Sequence, residues 1–357
     1  MVKRRPSCIA RPMKPSSDAQ VKAFIARLPK VELHLHLEGS IRPETLRELA
    51  RAKGRLHRET EDWIENRIRT NFHYRNAQEF LEAFKLLTLL LDSPGDYALA
   101  TTRLCDWLAQ QNVKYAEVTL SAGVILWKKQ SVDAIFEAIL LAAFEAEKRL
   151  GVRLRWIFDA IRHFGAEHGR QVLACAHRFR DQGVVAFGIG GDEQRGPAEL
   201  FTEVYREARD LGLHLTAHAG ESAGPESVRA AVELLRAERI GHGLSAIRDP
   251  SVMALLRERE IPLEVCPTSN VCTGLVPSFQ DHPLPAFLEA GLVVTLNSDD
   301  PGLFGTSLEN EFESAAAHFA LAPEQLARVS ENAIRVSFLR EEEKEILRKG
   351  LKSATDA

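Results

Sequence analysis

The sequence predicts a TIM-type (β/α)8 barrel with a helical lid inserted after the first strand and extra helices at the C-terminus. Three observations lead there. Eight short apolar, β-rich runs recur along the chain. From the third run onward they alternate with helical patterns at a spacing of roughly 20 to 30 residues, the signature of βα units on a parallel sheet. Polar and ionisable residues follow most of the runs at once, as they do on the C-terminal rim of such a barrel.

The first run is Val31-Glu32-Leu33-His34-Leu35-His36-Leu37, closed by Glu38 and Gly39. Side chains at i and i+2 of a strand share a face, so His34 and His36 converge on one spot. Two imidazoles inside an apolar strand are costly to bury unless something receives them. Pro43-Glu44-Thr45-Leu46 then opens a helix, Pro43 being tolerated in its first turn. A long, mainly helical stretch follows from about Arg55 to Gln111, with Phe80, Phe84, Leu87 and Leu91 at helical spacing. The later runs are Tyr115–Leu120, Leu154–Ala160, Val184–Ile189, Leu213–Ala217, Arg239–His242, Leu263–Pro267 and Leu292–Asn297. Helical patterns over Asp133–Arg149, Ala198–Leu211, Glu226–Ala237 and Ser251–Arg259 lie between them. No G-x-G-x-x-G follows the first run, which disfavours a doubly wound open sheet. The run Arg340-Glu341-Glu342-Glu343-Lys344-Glu345 reads as a solvated terminal helix with opposite charges at helical spacing.

Composition excludes several classes. The 357 residues are 45% hydrophobic, enough for a large core, and the net charge of −4 comes without a basic stripe for nucleic acid. No apolar segment approaches a membrane-spanning length; Ala138 to Phe144 is short and flanked by charge. Residues 1–20 are basic, contain Pro6, Pro12 and Pro15, and lack the apolar core of a signal peptide, so a disordered leader is expected before a single domain over 21–357. The five cysteines, at 8, 105, 175, 266 and 272, form no C-x-x-C pair, which suits a reducing cytoplasm. Cys266, Cys272, Trp107, Trp127 and Trp156 read as packing residues, and His282 and His318 receive no role.

The rim carries the chemistry. Run one ends in His34, His36 and Glu38, run four in Gly190-Gly191-Asp192-Glu193, and run five in His218-Ala219-Gly220-Glu221. Run six ends in Gly241-His242-Gly243, run seven in Pro267-Thr268-Ser269-Asn270, and run eight in Asn297-Ser298-Asp299-Asp300. His34, His36 and His218 offer three nitrogen ligands and Asp299 one oxygen, a set that suits catalytic zinc with an open position for water. Gly190-Gly191 stands where a bridging lysine would serve a second metal, so one zinc per chain is expected. Such a metal brings the proton loss of bound water near neutral pH. His242 is placed to accept or hold that proton, and Glu221 to act as proton donor. Asp300 enters the site beside Asp299 if the chain turns before Pro301.

Taken together, Leu33-His34-Leu35-His36-Leu37-Glu38-Gly39-Ser40, Gly191-Asp192-Glu193, His218-Ala219-Gly220-Glu221, Arg239-Ile240-Gly241-His242-Gly243, Cys266-Pro267-Thr268-Ser269-Asn270 and Ser298-Asp299-Asp300-Pro301 resemble the adenosine deaminase family of zinc aminohydrolases. The resemblance implies that His34, His36, His218 and Asp299 hold zinc and that Glu221 protonates purine N1. It implies that His242 orients or deprotonates the attacking water, and that Asp300 meets that water or the N7 edge. The Gly191 amide would meet N3, and His36, Glu38, Gly191 and Asp300 would line the substrate. Attack at C6 of an adenosine or modified adenosine would then release ammonia, under a lid formed by the helical stretch from Glu59 to Leu91. The only implied partners are a small purine nucleoside and water.

One departure bears on substrate. Many adenosine deaminases carry aspartate where this chain has Glu38, at the ribose 5′-hydroxyl, whereas related adenine deaminases carry glutamate. The stretch Pro301 to Phe312 resembles branches acting on modified adenosines, among them 6-amino-6-deoxyfutalosine with its carboxyphenyl group. Arg162-His163, Arg75 and Lys85 are candidates to pair with that carboxylate, although solvated surface charge is the simpler reading of each. A metal phosphoesterase is the rival from another class, but such sites need more histidines and carboxylates than this rim offers. A non-catalytic relative would be expected to have lost ligands that are all present here.

Overall fold

A computed structural model describes residues 17–356 except 55–57, 70, 71, 73, 75 and 76. The leader expected over 1–20 lies outside the described residues up to 16, and residues 17–20 belong to a helix, α1 (Ser17–Arg27). Arg75 also lies outside them.

Eight parallel strands follow one another in chain order: β1 (Lys30–His36), β2 (Val113–Leu120), β3 (Arg153–Ile161), β4 (Val184–Gly190), β5 (His214–Ala219), β6 (Arg239–His242), β7 (Leu263–Val265) and β8 (Val294–Leu296). Their order in the sheet is their order in sequence, and β8 returns to β1 through a parallel bridge between Leu35 and Asp299. There the His36 amide donates to the Asp299 carbonyl at 2.9 Å and the Asp299 amide to the His34 carbonyl at 3.0 Å. The barrel therefore closes at the two residues that the site needs side by side. The last two strands are three residues each, shorter than the apolar runs that predict them. Beside them single backbone bonds extend the pairing, the Leu263 amide donating to the Val293 carbonyl at 2.9 Å and the Asn297 amide to the Val265 carbonyl at 3.0 Å.

Between β1 and β2 stand α2 (Pro43–Ala52), α3 (Arg58–Arg69), α4 (Ala77–Thr88) and α5 (Pro94–Gln110). Pro43 sits in the first turn of α2, and Ser93 and Asp96 form a reciprocal capping box at the start of α5. Helices then alternate with strands: α6 (Ala122–Trp127) and α7 (Val132–Leu150) after β2, α8 (Ala166–Arg178) after β3, α9 (Thr202–Asp210) after β4, α10 (Pro225–Glu233) after β5 and α11 (Pro250–Glu258) after β6. α12 (Pro267–Cys272) and α13 (Leu284–Glu289) follow β7. After β8 come α14 (Pro301–Phe304), α15 (Leu308–Phe319), α16 (Pro323–Val336) and α17 (Glu341–Thr355), the extra helices read from the sequence. Among the described residues no helix is long and apolar enough to cross a membrane.

The inside of the barrel is polar along one line. Phe338, past the end of α16, stacks on His214 at 4.0 Å and lies 3.8 Å under the Arg239 guanidinium. Its amide donates to Glu117 Oε1 at 2.6 Å, and Glu117 Oε2 accepts from Arg239 Nη2 at 2.5 Å. Arg239 Nε donates to Glu264 Oε1 at 2.5 Å, and the other oxygen of Glu264 lies 2.8 Å from His34 Nδ1. All these charges are buried, and each is paired, as buried charges must be. One connected chain runs from the N-terminal floor of the barrel to the first histidine of the rim.

Candidate active site

At the C-terminal rim four histidines face one another. The His34 ring centroid lies 5.4 Å from that of His36, 4.5 Å from His218 and 4.9 Å from His242. One coordinating atom from each of His34, His218, His242 and Asp299 falls within 4.8 Å of the rest, and His36, Asp299 and Asp300 form a second such group sharing Asp299. The four residues read from the sequence as ligands, His34, His36, His218 and Asp299, thus divide between two groups that share Asp299, with His242 beside His34 and His218 and Asp300 beside His36. His34 Nε2 and His36 Nε2 each stand 3.4 Å from Asp299 Oδ1.

Local backbone explains the convergence. His242 and Asp299 are non-glycine residues in the left-handed region, at φ +62 each, both just where a strand gives way to the rim. Such strain clusters at functional sites. A β-carbon at Gly241 would stand 2.6 Å from His34 Cε1, and one at Gly39 would overlap the Asp300 carboxyl. Only glycine lets His34 and Asp300 occupy their places. β8 ends at Leu296, so the chain turns before Pro301 and both carboxylates enter the site.

The donor set fits a divalent metal such as zinc. His34 Nε2 is buried and has no hydrogen-bond partner, which is costly unless an ion receives its lone pair. His34 Nδ1 donates to Glu264, and His218 Nδ1 donates to the Ile189 carbonyl at 3.1 Å, so both rings aim Nε2 at the cluster. Asp299 Oδ2 accepts from Ser269 Oγ at 2.6 Å. Burial pushes the Asp299 carboxyl up, yet the imidazoles of His34 and His36, each 3.4 Å from Oδ1, hold it well below the usual carboxylate range. It is an anion in place to serve a cation.

Glu221 stands beside this cluster, its Oε1 3.7 Å from His242 Nε2 and its side chain 22% exposed to the cleft. Burial first, then the charges of Asp299 and Glu193, raise its pKa to about 8, so it carries a proton at neutral pH. Its loop is held by Glu193, a member of the Gly191-Asp192-Glu193 motif that received no role from the sequence. Glu193 Oε1 accepts the amides of Glu221, Ser222 and Ala223 at 2.9, 2.7 and 3.2 Å, and Oε2 accepts the Gly220 amide at 2.8 Å. Asp300 is buried, its Oδ1 has no partner, and burial followed by the Asp299 charge raises its pKa well above normal. Glu38 donates nothing and accepts the Ser121 amide at 3.1 Å through Oε1, leaving Oε2 buried and unpartnered. Burial lifts its pKa to about 7. Gly191 takes φ +92, beside His163.

Helix α4 covers the rim. The Phe84 ring meets His36 edge-on at 6.4 Å, and Phe80 stacks on Phe304 at 5.0 Å. Tyr74, between α3 and α4, donates through its hydroxyl to the Leu303 carbonyl at 2.9 Å, tying the inserted segment to α14.

Several sequence readings change. Arg162, taken as a solvated charge, is 1% exposed and donates through Nη2 to the His218 carbonyl at 2.8 Å. Lys85 is exposed, as read. Trp156 is buried, but Trp127, taken as a packing residue, is 52% exposed and lies against Phe164. Cys266 and Cys272 are buried packing residues. Glu264 and Glu117 were missed, although a lone glutamate inside an apolar run signals a buried partner. His282 was also missed: it is buried and bonds to Asn270.

Comparison with known proteins agrees with this geometry. The family model described as adenosine deaminase matches residues 29–354. The aminodeoxyfutalosine deaminase of Streptomyces coelicolor is 39% identical over 329 residues, covering 91% of this chain and 84% of that protein. The adenine deaminase of Mesorhizobium japonicum is 36% identical over 310 residues, covering 87% and 94%. A crystal structure of an amidohydrolase from Burkholderia ambifaria with bound zinc superposes with a TM-score of 0.87 at 27% identity, covering 99% of this chain and 97% of that one. With that extent of match and a rim built this way, the chain belongs to the adenosine deaminase family, hydrolytic deaminases that act on C–N bonds.

Proposed function

We propose that this chain is a zinc-dependent deaminase of an adenosine-type nucleoside whose 5′ side is modified, with 6-amino-6-deoxyfutalosine as its substrate. The observation that carries the deaminase reading is the place of Glu221, its Oε1 3.7 Å from His242 Nε2 at the rim where His34, His218 and Asp299 converge, with burial pushing its pKa up to about 8. The substrate reading is supported by the kinship with the Streptomyces enzyme and by Glu38 at the position expected to meet the ribose 5′ group.

His34, His36, His218 and Asp299 would hold one zinc ion, whose contribution is to acidify the attacking water. The chain's own groups do the rest. The Gly191 amide and Asp300 hold the two edges of the purine and Glu38 the ribose side. Glu221 gives its proton to N1 as the water oxygen bonds to C6, so that charge does not accumulate on the ring. The C6–N bond then breaks and ammonia leaves. In balance, the water oxygen ends on C6, one water proton on N1 and the other on the departing ammonia, and Glu221 regains the proton it lent. Helix α4, with Phe80 and Phe84, would exclude bulk water from the intermediate.

The test is a spectrophotometric panel on the purified, zinc-loaded chain: 6-amino-6-deoxyfutalosine, adenosine, 2′-deoxyadenosine, adenine, 5′-methylthioadenosine and N6-methyl-AMP. The expected result is the largest kcat/KM for 6-amino-6-deoxyfutalosine. Faster turnover of adenosine or adenine would overturn the substrate reading alone, and no change at C6 of any compound would overturn the deaminase reading.

A further inference from the structure

We infer that Asn270 and His282 are positioning residues that fix the tautomer of His242, so that it presents an N–H donor to the attacking water rather than a lone pair. The inference rests on the reading above that His242 faces that water. It is carried by hydrogen-bond direction.

The direction is set by a backbone group that cannot reverse. The Leu284 amide donates to His282 Nδ1 at 3.1 Å, so that nitrogen carries no proton. His282 is buried, and burial followed by the nearby His242 pushes its pKa down to about 3, so the ring is neutral with its single proton on Nε2. His282 Nε2 lies 3.2 Å from the side-chain oxygen of Asn270, which accepts that proton's hydrogen bond. With its oxygen so engaged, Asn270 turns its NH2 group to His242 Nδ1, 3.1 Å away. His242 Nδ1 must therefore be an acceptor. The proton of the neutral ring stands on Nε2, the nitrogen that faces Glu221 Oε1 at 3.7 Å and Asp299 Oδ2 at 3.8 Å. The opposite tautomer, with the proton on Nδ1, would set two N–H groups against each other in a buried place and leave both without an acceptor.

Hydrogen-bond direction also distinguishes the other rings of the cluster. His34 and His218 have acceptors behind Nδ1, a carboxylate and a carbonyl, so their Nε2 lone pairs face inward as ligands require. His242 alone of these three has a donor behind it. Its closeness to His34, His218 and Asp299 therefore does not make it a ligand. It orients the attacking oxygen and favours negative charge there, without taking a proton at Nε2.

The test uses the zinc-loaded enzyme labelled with 15N-histidine, read by long-range proton–nitrogen correlation spectra. His242 is assigned by difference from His242→Gln. The expected wild-type spectrum has the His242 proton on Nε2. Asn270→Asp keeps the shape and the bond from His282 but presents an acceptor to His242, so the proton is expected to move to Nδ1. In that variant kcat is expected to fall about 100-fold, the scale for losing one preorganised donor, with KM within about threefold. A wild-type proton on Nδ1 would overturn the inference, and that spectrum needs no variant to fold. An unchanged tautomer in a folded Asn270→Asp, or a loss confined to KM, would overturn it as well. The spectra do not depend on turnover, so a failed substrate panel leaves this result distinguishable.

Discussion

Two sides of the rim place the same side chain in the same cluster and give it different work. Behind His34 lies a carboxylate chain, Glu264, Arg239 and Glu117, that runs down the barrel to Phe338. Behind His242 lies an amide chain, Asn270, His282 and the Leu284 backbone. The first turns a lone pair toward the centre and adds negative charge behind it, as the proposed metal ligand requires. The second turns an N–H toward the centre and adds no charge. On the proposed assignment, what an imidazole does here follows from the group at its back rather than from its distance to its neighbours.

The two sides are expected to fail differently. The largest effect belongs to Glu221, which faces His242. Glu221→Gln keeps shape but not the proton, and turnover is expected to fall about 1,000-fold or more while zinc is retained. Activity that survives in a zinc-loaded Glu221→Gln would remove Glu221 from the role of proton donor. On the other side the loss is in metal. Glu264→Gln leaves Arg239 with one carboxylate and weakens the charge behind His34, so zinc affinity is expected to drop about 10- to 100-fold. Competition with a chelator measures it, and an unchanged affinity would break the comparison.

A smaller effect separates the sides by pH. In the proposed role Glu221 acts in its protonated form, and burial raises its pKa to about 8, which favours the acid form at pH 7. kcat/KM is expected to decline as pH rises through that range, and a rate still climbing above it would contradict the assignment. The smallest effect concerns the cover over both sides. Phe84→Ala removes the ring beside His36, and at the scale of one aromatic contact, about 1 kcal/mol, KM is expected to rise about fivefold with zinc content unchanged.

Much of the His34 side was legible in the sequence, because its signals are local. Two histidines at strand spacing, a glycine after them, and charges stranded in apolar runs are visible without any long-range contact. Glu117 and Glu264 carried the last of these signals and were nonetheless missed, because a strand pattern does not say which buried charge meets which. Arg239 opens a strand, and its two carboxylates come from β2 and β7, which only barrel closure brings together. The His242 side was scarcely legible. His282 lies in a loop, 12 positions from Asn270, with no spacing that marks the pair. Arg162 reads as a rim charge because burial depends on the loop after β4, whose Gly196 packs on it.

Zinc content of purified single variants tests the division most directly. Elemental analysis is expected to give about one zinc per chain in the wild type and in His242→Ala, and close to none in His34→Ala and His218→Ala. A His242→Ala protein that folds but loses its metal, or a wild type holding more than one tightly bound metal per chain, would contradict the account.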